Sequence, residues 1–503
     1  MKNAKYLLGL DIGSSSVKAL LVNVEDGSTV AATQSPAEEM QIFSPQSGWA
    51  EQDPEMWWSH SVLSIKSCLK KAGISPSDVC AIGISYQMHG LVIVGKDHKP
   101  LRSSIIWCDS RAAGIGDKAL SSLGEKYSHE HLLNSPGNFT ASKLKWVQKN
   151  EPAIYEKIHK VMLPGDYIAM KLTGEIQTTD IGLSEGIFWD FKERAISSSL
   201  LNYYKISPSL LATVVPAFSI QGKLTTHAAH ELGLSDNVVV AYRAGDQPNN
   251  AFSLNVLNPG ETAATAGTSG VIYSVTNKNA FDRQSRVNTF LHVNNNGTAE
   301  TQRNGVLLCI NGTGSMNSWL RKSMKGNGTS FEYEQMNSIA ATLPIGSDGV
   351  MAIPFGNGAE RILANKDIGS SFHGLNFNRH SHAHLLRASQ EGIVFALKYG
   401  FDILQEMGLN SKVIRVGNAN MFLSPLFREA FTNTIGARLE LYDTDGAKGA
   451  ALGAGIGSGV YTRFEEAFRG LKMIRAEEPD PNKQSQYLGA YKDWLEQLDR
   501  AIF

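Results

Sequence analysis

At 503 residues the chain is too long for a single hydrophobic core, and ~100–200 residues per domain predicts two to four domains. Apolar residues at 42 % and charged residues at 19 % are globular values that exclude a disordered or fibrous chain. Forty-seven Lys and Arg against 48 Asp and Glu leave a formal charge of −1, which removes any broad electrostatic case for nucleic acid or an anionic membrane as partner.

In chain order, residues 6–11 and 17–24 read as strands around the turn Ile12-Gly13-Ser14-Ser15-Ser16, and residues 28–33 as a third strand after Glu25-Asp26-Gly27. Short strands joined by tight turns predict an antiparallel meander, whereas a Rossmann unit needs a helix after the first turn. Asp53 as N-cap and Pro54 at the first helical position predict a helix over 54–71, ended near Gly73. A buried strand over 79–85, the string Gln87-Met88-His89-Gly90 and a strand over 91–94 follow. The same grammar returns in the second half. A strand over 238–241 ends at Arg243-Ala244-Gly245-Asp246, helical residues cover 247–252, and the turn Gly267-Thr268-Ser269-Gly270 leads into a strand over 271–275. Each half thus supplies a strand-borne aspartate and a turn of small residues. This pattern predicts a duplicated, two-lobed molecule divided into residues 1–248 and 249–503. Residues 487–502 carry apolar side chains near helical spacing, a packing stripe.

Cys68, Cys80, Cys108 and Cys309 show no Cys-x-x-Cys spacing, so reduced thiols are expected rather than a disulfide framework or zinc finger. The apolar stretch 6–10 is too short for a signal-peptide core, and no run approaches the ~18 residues of a membrane span. A soluble, cytoplasmic protein is the expectation.

Several short constellations are suited to chemistry. Asp11-Ile12-Gly13-Ser14-Ser15-Ser16-Val17-Lys18 joins a strand-end carboxylate to a turn whose amides and hydroxyls suit phosphate. Asp11 is placed to hold Mg²⁺ through water; a Gly/Ser hairpin with a solvated aspartate is the plainer alternative. This is not a Walker A loop. Asp246, between Gly245 and Gln247 where a strand meets a helix, is suited to accept a proton from a substrate hydroxyl, or is simply a helix cap. Three further loops of small residues, 266–270, 312–315 and 417–420, suit phosphate, nucleotide and adenine or ribose, with ordinary turns as the alternative. His380-x-His382-x-His384 alternates as metal ligands do. It stands at the mouth of a helix over 385–399 without a nearby carboxylate or cysteine, which favours a structural role.

In this order the pieces resemble the FGGY carbohydrate kinases, of the actin/hexokinase/Hsp70-like ATPase superfamily. The resemblance runs through Leu10 to Lys18, Gly48-Trp49-Ala50-Glu51-Gln52-Asp53-Pro54 with Trp57, and Trp107-Cys108-Asp109-Ser110-Arg111. It continues in Lys143-Leu144-x-Trp146, Leu163-Pro164-x-Asp166-Tyr167, Leu172-Thr173-Gly174-Glu175 and Gly245-Asp246. Gly374-Leu375, followed by residues 384–392, is similar to the family's C-terminal signature. Within the family, Gln87-Met88-His89-Gly90 and Trp107-x-Asp109-x-Arg111 are similar to the xylulose-phosphorylating group, and sedoheptulose kinases share a string like the first.

The resemblance implies an α/β, two-lobed, actin/hexokinase-like (ribonuclease H-like) fold, with a mixed sheet flanked by helices in each lobe and a cleft between them. It implies ATP and Mg²⁺, and transfer of the γ-phosphoryl group to the 5-hydroxyl of D-xylulose. Asp246 would be the general base, and Met88, His89, Asp109, Asp246 and Gln247 would contact the sugar. Gly13, Ser14, Ser15, Lys18, Gly267, Thr268, Gly314, Gly417 and Asn418 would serve nucleotide and phosphates, with Asp11 on the metal. One departure stands out: the adenosine loop, usually Gly-Gly-Gly-Ala, here reads Gly417-Asn418-Ala419-Asn420. Asparagine tolerates the left-handed backbone region, so the loop can keep its shape. The implied partners are a small sugar and ATP, with a homodimer as the assembly to test. A kinase for another ketose or polyol, a non-catalytic sensor and an actin-like filament protein are the other readings.

Overall fold

The computed structural model describes residues 5–502 apart from 297, 299, 327 and 328. Strand β1 (Tyr6–Ile12) turns through Gly13–Ser16 into β2 (Val17–Asn23), and β2 turns into β3 (Thr29–Ser35); both pairings are antiparallel. Helix α1 (Pro54–Ala72) starts where the Asp53 side chain accepts the Glu55 amide, and it stops at Gly73, whose φ of 65° an L side chain rarely adopts. Strand β4 (Val79–Tyr86) then lies parallel to β1. Strands β5 (Phe218–Lys223) and β6 (Val239–Gly245) complete a six-stranded sheet of order β5-β6-β4-β1-β2-β3, with β6 parallel to β4. Helix α2 (Asp246–Ser253) begins where β6 ends.

The second sheet is built from β7 (Thr262–Ala266), β8 (Gly270–Thr276), β9 (Asn288–Leu291) and β10 (Asn304–Ile310). Helices α3 (Gly314–Ser323) and α4 (His382–Glu406) precede β11 (Val413–Gly417) and β12 (Arg438–Tyr442). Helix α5 (Gly446–Gly457), strand β13 (Met473–Glu477) and helix α6 (Pro481–Ile502) close the chain. The strand order is β9-β10-β8-β7-β11-β12-β13. The series β3-β2-β1-β4-β6-β5 therefore has a counterpart in β10-β8-β7-β11-β12-β13. Each is an antiparallel triplet, then two parallel strands, then an antiparallel edge. In this correspondence the turn 267–270 matches the turn 13–16, and α5 after β12 matches α2 after β6.

A cut after residue 248 does not separate the packing as cleanly as the sequence suggests. Helix α5, from the second half, lies on β1, β4 and β6 of the first sheet and against α2. Small residues make this possible. A Cβ on Gly9 would stand 1.8 Å from the Ala447 carbonyl oxygen, and one on Gly83 would stand 1.9 Å from that of Ala450. Of the three clustered histidines, His382 and His384 lie in the first turn of α4, while His380 precedes its Ser381 cap. The Ser381 amide donates to His384 Nδ1 at 3.0 Å, and His384 Nε2 lies 3.4 Å from Asp348, a carboxylate that the sequence pattern did not bring near. Among the described residues no helix is long and apolar enough to cross a membrane.

Candidate active site

Register brings the two aspartates to one end of the first sheet. Asp11 on β1 aligns with Ser85 on β4, and Ser85 aligns with Ala244 on β6. Two strand spacings, about 10 Å of backbone, separate Asp11 from the β6 terminus that carries Asp246. The Ser85 hydroxyl donates to Asp11 at 3.0 Å. Burial raises the Asp11 pKa, the cross-strand Lys18 opposes that rise, and Asp445 adds to it. Asp246 opens α2. Burial first, and the Asp11 charge second, push its pKa up to about 7 against hydrogen bonds from Gln247.

The start of α5 completes this corner. A Cβ on Gly446 would stand 2.7 Å from Asp11 Oδ2 and 3.1 Å from Asn250 Oδ1. Asn249 Nδ2 donates to the Gly446 carbonyl at 2.8 Å, and the Asp445 side chain caps the helix through the Lys448 amide. Asp445, Asn249 and Asn250 were missed in the sequence. The repeat could have found Asp445-Gly446, which follows β12 as Gly245-Asp246 ends β6. The Asp445 charge raises the Asp11 pKa and the Asp11 charge raises that of Asp246, a crowding of carboxylates that suits a dication. Among the described residues no three His, Cys, Asp or Glu side chains form a direct metal cage. That donor set fits Mg²⁺, which keeps several waters and takes one or two carboxylates.

The first turn is braced from below. The Gly13 amide donates to the Ser16 carbonyl at 3.0 Å, Gln52 Nε2 donates to the Ser14 carbonyl at 2.7 Å, and Trp107 Nε1 meets Ser14 Oγ at 3.4 Å. The Gly13 amide is thus used within the hairpin. Among the described residues the Ser14 and Ser15 amides have no hydrogen bond. The opposite turn shows the same division. The Gly314 amide donates to the Gly267 carbonyl at 2.9 Å and the Ser315 amide to the Thr268 carbonyl at 3.2 Å. A Cβ on Gly314 would stand 2.3 Å from the Gly267 oxygen, so Gly314 seats the turn on α3 instead of offering its own amide to a nucleotide. Gly417 ends β11, the Asn418 amide donates to the Tyr442 carbonyl at 3.0 Å, and Asn420 takes the left-handed region at φ 54°. The Asn420 side-chain Nδ2 lies 3.5 Å from where a Cβ on Gly267 would sit, so the loop 417–420 meets the turn 267–270.

The other flank of Asp246 is aromatic and polar. His89, at φ 62°, donates from Nδ1 to the Glu185 carbonyl at 2.9 Å, because a carbonyl can only accept. The ring meets Phe139 edge-on at 4.8 Å, and burial lowers its pKa to about 3. A neutral ring with that tautomer presents Nε2 as an acceptor. Met88 Cγ would stand 2.6 Å from a Cβ on Gly245, so it packs beside Asp246. Lys143, which the family string also contains, donates to the His89 carbonyl at 3.1 Å and the Ile106 carbonyl at 2.9 Å; burial lowers its pKa to about 8.

Asp109 departs from its expected role as a sugar contact. It is 0 % exposed, Oδ2 accepts the Ala50 amide at 2.7 Å, Oδ1 accepts the Arg111 amide at 2.9 Å, and the Arg111 guanidinium lies 2.7 Å from Oδ2. Arg111 in turn lies 3.8 Å over the Trp49 ring and 2.7 Å from Glu51. The lone pairs of Asp109 are thus saturated. The strings 48–53 and 107–111 lock together as one buried ion-pair device. Two cavities, about 240 Å³ beside Glu391 and Trp494 and about 780 Å³ beside Glu55 and Lys171, lie apart from Asp246.

Residues 6–253 match the N-terminal domain of the FGGY family of carbohydrate kinases. The xylulose kinase of Bacillus subtilis is 29 % identical, covering 92 % of this chain and 90 % of its own. That of Escherichia coli is also 29 % identical, over 95 % and 96 %. A Brucella ovis crystal structure described as a xyloylose kinase superposes with a TM-score of 0.85 at 26 % identity, covering 98 % of both chains.

Proposed function

The chain belongs to the FGGY family of carbohydrate kinases, and on that ground we propose that it transfers the γ-phosphoryl group of ATP to the 5-hydroxyl of D-xylulose. It is an enzyme that phosphorylates a sugar from ATP, on the two-lobed actin/hexokinase-like fold. The convergence of Asp11, on β1, and Asp246, just past the end of β6, at one end of the parallel set β1-β4-β6 carries the mechanism. Asp246 takes the proton of the acceptor hydroxyl as its oxygen bonds to phosphorus and the bond to ADP breaks. A carboxyl titrating near 7 is matched to that task. Met88, His89 and Gln247 hold the sugar, with His89 Nε2 accepting a hydrogen bond from a sugar hydroxyl. Gly267 and Gly13 let their turns approach the phosphates, while the amides of Ser14, Ser15 and Thr268, together with Lys18, spread charge from the transferring group. Gly417 and Asn418 lie on the nucleotide side, above the turn that Gly314 seats. Asp11, helped by Asp445, would hold Mg²⁺ through water; when bound, the ion neutralises phosphate charge.

Xylulose is favoured over other acceptors because the curated relatives named above are xylulose kinases over more than nine-tenths of this chain. The site we propose is cytoplasmic, where ATP is at hand. ADP release measured over pentuloses, heptuloses and polyols tests the proposal, with D-xylulose expected to give the highest kcat/KM. A higher value for sedoheptulose or a polyol overturns the substrate, and the absence of any sugar-dependent ADP release overturns the activity. Asp246→Ala is expected to lower kcat by at least ~10², the low end for lost general-base work.

A further inference from the structure

Arg361 stands in an unusual place for a free cation. It begins a short helical turn, Arg361–Leu363, whose Ile362 and Leu363 are anchored in the core of the second lobe. Glu360 accepts the Asn311 amide at 3.0 Å and ties this segment to the end of β10. From there the Arg361 guanidinium reaches the first lobe and lies 5.4 Å over the Phe139 ring, the ring that meets His89 edge-on. Among the described residues it makes no hydrogen bond and no ion pair, and burial lowers its pKa. The charged or polar groups close enough to act on it are Asp117, Cys309 and His89, none within bonding reach. Met88 packs against Gly245 and precedes His89, so Arg361, Phe139, His89 and Asp246 border one region. A partly desolvated guanidinium with five unmet donors is costly unless acceptors arrive with a ligand.

We propose that Arg361 is a sugar-positioning residue supplied by the second lobe, whose guanidinium takes hydroxyl or carbonyl oxygens of the acceptor sugar between the Phe139 ring and His89. It stands over the aromatic flank of the site rather than at the turns 13–16 and 267–270, which favours the sugar over the triphosphate as its ligand. The acceptor site is then built from both lobes, and sugar draws them together by bridging Met88 and His89 to Arg361. This inference rests on the sugar-kinase reading above.

The test compares Arg361→Leu and Arg361→Lys with the unaltered enzyme. It measures KM for sugar and for ATP, the Kd for Mg-ADP, and the radius of gyration by small-angle X-ray scattering with and without sugar. Arg361→Leu should raise the sugar KM at least tenfold, keep the Mg-ADP Kd within about twofold, and lose sugar-induced compaction; Arg361→Lys should recover part of each. A sugar KM within twofold of the unaltered enzyme overturns the proposal. So does a parallel rise in the ATP KM and Mg-ADP Kd with no recovery in the lysine variant, which would mark a packing role. If the unaltered enzyme prefers another sugar, xylulose fails as substrate while Arg361 is judged on the sugar that is turned over. If no sugar is turned over, the kinase reading fails. Arg361 is then overturned should D-xylulose, titrated in the presence of Mg-ADP, bind both proteins alike.

Discussion

Burial and the Asp11 charge both oppose ionisation of Asp246, which therefore titrates near pH 7. Below that pH the carboxyl is protonated and cannot accept the sugar proton. The logarithm of kcat/KM for sugar should fall with a slope approaching one per pH unit below 7 and level off above it; a flat profile from pH 5.5 to 8.5 would remove Asp246 from the base role. The same shift has a cost in stability. Between its ordinary pKa of 3.8 and the folded value near 7, the native state holds a proton that the unfolded chain has released, so the stability it contributes is lost as pH rises through that window. Asp246→Asn, beyond losing activity, should raise Tm at pH 8, by roughly 1–2 kcal/mol of stability, and leave it unchanged at pH 3.5. Asp109 gives the opposite signature. Asp109→Ala leaves Arg111 with Glu51 alone, a carboxylate it shares with Arg102, and should cost about 3 kcal/mol in a urea melt. Loss of sugar affinity at undiminished stability would restore Asp109 as a sugar contact.

At the scale of elements, the contact between α5 and the first sheet decides how the corner of Asp11 and Asp445 is assembled. Gly83→Ala puts a methyl group 1.9 Å from the Ala450 carbonyl oxygen, so the helix or the strand must move. A loss of about 1–3 kcal/mol is expected. Because the start of α5 stands at Asp11, the KM for Mg-ATP should rise with it. Gly489→Ala, in open space within α6, provides the contrast. It should stabilise the protein by about 0.5–1 kcal/mol through helix propensity and leave both KM values alone. Equal effects of the two substitutions would show that the close approach is not what holds α5.

For the whole molecule, a sugar site shared between lobes has a kinetic consequence. Water competes with the sugar hydroxyl for the phosphoryl group, so a site assembled before sugar arrives would hydrolyse ATP unproductively. ADP release without sugar should therefore run at least ~10²-fold below the sugar-dependent rate, and scattering should show compaction with sugar and Mg-ADP together. A high sugar-independent rate in an uncompacted enzyme would contradict closure.

The β-meander around Gly13, the start of α1 at Asp53 and the repeated strand-and-turn order could all be read from the chain, because periodicity, caps and tight turns depend on neighbours a few residues away. That Asp11 and Asp246 come to the same end of the first sheet was legible too, through the order of the strings and their family resemblance. The saturation of Asp109 by Ala50 and Arg111, the seating of Gly314 under Gly267, the approach of Asp445 to Asp11 and the reach of Arg361 to Phe139 were not. Each is a contact between segments distant in sequence, and a residue type does not reveal which partner will occupy its lone pairs or donors. That assignment follows only once two sheets and the small-residue helix between them have packed.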